Sequence, residues 1–166
     1  MLTSLPVPIE FRLPEGWLPA APADEADVPG VAFAAVHPHP DAGFTANITI
    51  DGGFLADTET LAGLADASVE RLGQVAQSVT VAQRRELGSE DAPALTQRVT
   101  FSAVAGGARR DLVQSQVYLS MSDVEDPHKR AAIRLALTAT AAQHDAVLED
   151  FQDFVRSVRP DTGAET

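Results

Sequence analysis

An α+β fold, an antiparallel β-sheet with two main helices packed on it as an α/β/α-type sandwich, is what the sequence predicts. Three observations carry that expectation. Segments of alternating apolar and polar residues recur along the chain and are joined by short turns, the pattern of antiparallel strands. Two segments instead place their apolar residues at helical spacing, one mid-chain and one near the end. Apolar residues make up 45% of the 166 positions, enough for one core, while aromatics are 5%, so Val, Leu, Ile and Ala must fill it.

The elements follow in order. Val7–Leu13 reads as an opening strand, turned by Pro14-Glu15-Gly16 ahead of Trp17. Ala20 to Gly30 is an acidic, Pro/Ala-rich loop, and Val31–Val36 a short buried strand. Two prolines in His37-Pro-His-Pro-Asp-Ala-Gly43 break it, since each fixes φ and removes a donor. From Phe44 to Asp51 the chain alternates, with Phe44, Ala46, Ile48 and Ile50 on the apolar side, and Gly52-Gly53 is expected to end the strand. Asp57 or Thr58 can cap a helix over Thr58–Ala76, whose stripe is Leu61, Leu64, Ala65, Val69, Leu72 and Val75.

Four strands come next. Val79–Glu86 starts with β-branched residues, and Ser89–Pro93 turns into Ala94–Val104. Ala105-Gly106-Gly107-Ala108 is a hairpin tip leading into Arg110–Met121. An acidic loop, Ser122–Lys129, precedes Ala131–Ala142. The closing helix, His144 to Val158, carries Val147, Phe151, Phe154 and Val158 as its stripe, with acids leading and arginines trailing in accord with the helix dipole. The order is β-β-β-α-β-β-β-β-α. Residues 1–160 are expected to form a single α+β domain and residues 161–166 a disordered C-terminal tail.

Charge and composition exclude several functions. The formal net charge is -12, which repels a phosphate backbone and an anionic membrane surface, so neither nucleic acid nor a membrane is an expected partner. There is no cysteine, which removes disulfides, thiolate metal sites and thiol nucleophiles. Met1 to Arg12 has no basic, apolar leader pattern and no run approaches the ~20 apolar residues of a membrane span, so the cytoplasm is the expected location. Lys129 is the single lysine against many arginines, the codon bias of a GC-rich bacterium.

The opening Phe11-Arg-Leu-Pro-Glu-Gly-Trp17 resembles the start of small proteins with the Mog1/PsbP-like fold, among them the actinobacterial LpqN/LpqT-type proteins. Phe44-Thr-Ala-Asn-Ile-Thr-Ile50, the helix with Leu64-Ala65, the strand bearing Gln114-Ser-Gln116, and Leu137-Thr-Ala-Thr140 ahead of Phe151-x-x-Phe154-x-x-Ser157 agree with it. The resemblance implies the sandwich just derived. It also implies a binding or accessory module without a shared catalytic residue. The lipoprotein branch carries a leader and a lipidation cysteine that this sequence lacks, so a cytosolic relative of unknown function is the expectation.

Several residue groups bear on chemistry. His37 and His39 could present two imidazoles to a metal on an extended chain, with Asp41 as a third ligand; a solvated rigid loop is the simpler expectation, and no metal or cofactor is assigned. Asp123, Glu125, Asp126 and His128 lack the alternation and glycine of a calcium loop. Arg84-Arg85 and Arg109-Arg110 could form an anion site, or pair with Glu86 and Asp111. A polar sheet face is expected from Thr45, Asn47, Thr49, Arg98, Thr100, Gln114, Gln116, Tyr118, Arg134, Thr138 and Thr140, either as a recognition surface or as an ordinary solvated side. Trp17, Arg98, Gln114, Gln116, Tyr118 and Arg134 are the candidate binding residues. No nucleophile elbow, phosphate loop, HExxH or dinucleotide fingerprint occurs, so catalysis is not expected. The functional expectation is a non-catalytic accessory or adaptor protein that binds an unidentified protein partner, with a homodimer as one form. The alternative is a small-ligand-binding domain with a pocket between the sheet and the N-terminal loops around Trp17 and His37.

Overall fold

A computed structural model describes residues 9–20, 31–39, 44–56, 58–88, 93–105, 107–122 and 130–160. The elements are β1 (Ile9–Glu10), β2 (Leu18–Ala20), β3 (Val31–Val36), β4 (Asn47–Leu55), α1 (Leu61–Val75), β5 (Gln77–Gly88), β6 (Pro93–Ala105), β7 (Ala108–Ser122), β8 (Arg130–Thr140), α2 (His144–Ser157) and β9 (Arg159–Pro160). Among the described residues seven strands form one sheet in the order β2-β3-β4-β8-β7-β6-β5, and β1 pairs with β9. Every pairing is antiparallel. The expected α+β sandwich is therefore the fold.

Local chemistry explains where elements begin. α1 starts after Thr60, whose Oγ1 accepts from the Gly63 N–H at 3.0 Å, while Glu59 Oε1 accepts from the Ala56 N–H at 2.8 Å. The cap is thus Thr60, later than Thr58; Asp57 lies outside the described residues. β4 does not stop at Gly52-Gly53. Both glycines remain paired with β8, opposite Ile133 and Ala132, because the ladder on the β8 side continues whatever the side chain. Of the expected opening strand, Ile9–Glu10 is strand, residues 11–13 are not, and Val7 and Pro8 lie outside the described residues; the segment after Trp17 forms β2 against β3. Residues 161–166, the 123–129 loop and Asp41 lie outside the described residues, as does most of the 20–30 loop.

The sheet is covered on both faces. On one, Ile48, Ile50, Ile133, Leu135 and Leu137 meet Val147, Phe151 and Phe154 of α2, all nearly or fully buried, with Val117 and Leu119 packed partly against them. Each such side chain contributes about 2–3 kcal/mol by leaving water. On the other face Leu61 and Ala65 of α1 pack on Leu95, Tyr118 and Ala132, and Val69 and Leu72 on Val99, Phe101 and Leu112. Phe44 joins this second cluster, not the Ile48 side expected from its parity, since it precedes the regular strand. No helix among the described residues is long and apolar enough to cross a membrane.

Candidate functional site

Cross-strand partners share a sheet face, so the register sorts the candidate residues. Gln116 faces Ala136 across β8 and Gln97 across β6, and Tyr118 faces Arg134. Gln114, Gln116, Tyr118 and Arg134 therefore stand together, as expected. They are not a solvated surface: α1 lies over them, and Gln116 and Tyr118 are 1% and 2% exposed.

Beneath α1 they form a continuous polar ladder. Asp66 accepts from Arg84 Nη1 at 2.7 Å, and Arg84 Nη2 donates to Gln97 Oε1 at 2.7 Å. Gln97 Nε2 donates to Gln116 Oε1 at 2.7 Å and to the Ala65 carbonyl at 3.2 Å. Tyr118 Oη donates to the same Gln116 oxygen at 2.8 Å, and Gln116 Nε2 donates to Ser68 Oγ at 3.0 Å and to Gln114. Arg134 then donates to Gln114 Oε1 at 3.0 Å and to Asp51 Oδ2 at 2.8 Å. Burial works against the charge on Arg134, but Asp51 and Tyr118 outweigh it and hold the guanidinium above its ordinary value. Two arginines are answered by two carboxylates, so the ladder is neutral. Apart from Arg134 Nε, which is buried without a partner, its groups are bonded to one another, and they tie α1 to the sheet.

Gln97 and Ser68 belong to this ladder without having been singled out. The signal was a polar residue inside an apolar parity: Gln97 between Leu95 and Val99, Ser68 on the stripe of Leu61 and Ala65.

Arg98 and Thr100 do not join that face. Arg98 is opposite Ser115 and Thr100 opposite Val113, which puts both on the α2 side. The reason is that the apolar parities of β6 and β7 serve different layers: Leu95, Val99 and Phe101 pack under α1, while Val117 and Leu119 point to α2. The Arg84-Arg85 pair is split in the same way. Arg84 joins the ladder through Asp66 and Gln97, not Glu86, whereas Arg85 faces α2. Arg109 reaches Gln77.

On the α2 side the chain forms a groove of about 500 Å³. Its floor is three cross-strand rows: Gln83–Arg98–Ser115, Arg85–Thr96–Val117 and Leu87–Ala94–Leu119. Its wall is the flank of α2 formed by Leu148, Phe151, Gln152, Val155 and Arg156. The hollow exists because β6 contributes Ala94 and Thr96, small side chains between larger ones, and because α2 sits over β8.

Two further places can be weighed. Trp17 is 5% exposed, its Nε1 donates to Asp150 Oδ2 at 3.0 Å, and His37 packs edge-on to its ring at 5.1 Å. The indole of Trp17 is buried here, and the 21–30 and 40–43 segments beside it lie outside the described residues. His37 Nδ1 accepts from the backbone N–H of His39 at 3.1 Å, a local turn contact. Among the described residues no group of three metal-ligating side chains occurs. At the end of the groove Ser115 Oγ lies 2.8 Å from His144 Nε2, and His144 Nδ1 lies 3.5 Å from Asp145 Oδ1. Burial first, then the Arg98 charge, pushes His144 below the ordinary histidine value, and Asp145, 93% exposed, opposes them weakly.

No family model and no curated protein matches the sequence. Solved structures share its fold. LpqN of Mycobacterium tuberculosis, involved in cell envelope biogenesis, superposes with a TM-score of 0.64 at 12% identity, over 93% of this chain and 85% of its own. The Ran-binding protein Mog1p of Saccharomyces cerevisiae superposes at 0.60 and 17% identity, over 93% and 92%. Cyanobacterial PsbP of Synechocystis gives 0.58 at 15% identity, over 92% and 86%. The fold is Mog1/PsbP-like, as the opening motif implied.

Proposed function

We propose that this chain is a non-catalytic accessory protein that binds another protein, seating a segment of its partner in the groove between α2 and β5–β7. One observation carries the reading. The groove floor on β5 and β6 stays open although its strands are backed by α1 on the other face, so apolar area on Leu87 and Leu119 is left for an incoming chain. The likeness to a Ran-binding protein supports a binding role at the level of fold analogy.

A photo-cross-linking residue placed at Thr96, on the groove floor, tests the reading in cells. A discrete protein adduct is expected there, and none from the same residue at Glu70 on the exposed side of α1. Equal adducts from both positions, or none from Thr96, would sink it. The competing reading is a serine hydrolase, favoured by the 2.8 Å Ser115–His144 contact. A fluorophosphonate probe decides that: covalent labelling of Ser115 would establish it, and an unlabelled protein is expected.

A further inference from the structure

Resting on that reading of the groove, the charges around it identify the kind of segment it takes: we infer that the partner supplies an acidic amphipathic helix. Asp and Glu outnumber Lys and Arg by 24 to 12 across the chain, yet among the described residues three arginines and no carboxylate line the groove. Arg85, Arg98 and Arg156 come from β5, β6 and α2, so they ring the hollow from different elements. Among the described residues Arg156 has one salt-bridge partner, Asp153, which is exposed beside it and does not line the groove. Arg98 makes no salt bridge among the described residues, so its charge is left for a carboxylate arriving from outside.

The dimensions select a helix. α2 packs over β8, and β6 lies two strands away, about 10 Å at ordinary strand spacing. Helices pack side by side at about 8–10 Å, so a helix lying over β6 would seat against the flank of α2. α1 occupies the equivalent place on the other face. Apolar residues at helical spacing would meet Ala94, Leu119, Leu148 and Val155, and acids on the helix flanks would meet the three guanidiniums.

Fluorescein-labelled amphipathic peptides of about 16 residues, with one leucine stripe and flanks of Glu, Gln or Lys, test this by anisotropy with the whole protein. The Glu peptide should bind at least about tenfold tighter than the Gln peptide and lose that margin in high salt. The variant R85E/R98E/R156E should reverse the preference toward the Lys peptide; Arg98→Gln with Arg85→Gln serves if the triple variant does not melt cooperatively. Equal binding of Glu and Gln peptides would overturn acid selectivity while leaving a protein-binding groove. Binding of none, with the Thr96 adduct retained, would overturn the helical segment. Displacement of all peptides by dodecanoate would mark a small-amphiphile site and overturn both readings. A mass in light scattering that rises with concentration, and falls with Leu119→Glu, would make a second copy of the chain the occupant and overturn the inference.

Discussion

The two faces of the sheet use similar residues for opposite ends. Under α1, Arg84, Arg134, Gln97 and Gln116 are joined side chain to side chain, with the two glutamines closed off from water and the two arginines partly so. On the α2 side, Arg85, Arg98 and Gln83 sit on the same strands or their neighbours, and their polar ends look into an open groove. A buried polar group tied into a network specifies one arrangement of its layer; a polar group left facing a hollow is available to something else. Helix placement produces the difference. α1 lies over β5–β7 and α2 over β8, so β6 is roofed on one face only.

The comparison breaks most visibly if polar residues on the two faces are replaced by leucine. Gln116→Leu strips partners from Gln97, Tyr118, Gln114 and Ser68 and should cost about 3 kcal/mol in urea unfolding. Thr96→Leu, on the groove floor, should change stability by less than about 0.5 kcal/mol. Similar costs would mean that the groove is as closed as the ladder.

Arginine removal sharpens the same contrast. Arg134→Met leaves Asp51 and Ser68 without their guanidinium and should cost about 2 kcal/mol, short of a fully buried pair because both partners keep some solvent. Arg98→Met, removing an orphaned Nε, should be neutral or stabilising by up to about 1 kcal/mol. A large loss at Arg98 would show that its role is structural.

A smaller effect comes from pH. His144 sits at the groove end with its folded value lowered by burial and then by Arg98. The unfolded chain therefore takes up the proton first as pH falls. Stability from this group is complete above about pH 6.5, the unfolded value, and is lost as pH drops below it toward the folded value. The melting temperature of the parent should fall between about pH 7 and pH 5 more than that of His144→Gln. An identical decline in both would remove His144 from the account.

Smallest of all is Gly53→Ala. A Cβ there meets nothing within 4 Å, so restricting the unfolded chain should raise stability by about 0.5 kcal/mol. A loss would mean that the open space beside β4 is needed.

Much of the fold was legible because each element announces itself locally. The parities of β4, β7 and β8 and the stripes of α1 and α2 follow from burial of one side of a repeating geometry, and Ile48, Leu135, Val117, Phe151 and Leu61 all stand where that pattern puts them. The ends were less legible. Thr60 displaced Thr58 as the cap, since either hydroxyl can serve and the surrounding turn chooses. β2 escaped notice because three residues that include a proline hold too little pattern.

The candidate site was legible in part. Gln114, Gln116, Tyr118 and Arg134 share a face because they share a parity or a register with it, and alternation shows that within one strand. That Arg98 turns the other way is invisible to alternation, because β6 and β7 each have an apolar side and the sheet has two faces to bury. The sequence by itself determined which residues of each strand travel together and that the whole would be a sheet with two helices. Only the tertiary structure decided which side of β6 meets which helix, and so which arginines are spent in the ladder and which are left around the groove. Register and helix placement are relations between segments far apart in the chain, and no local period encodes them.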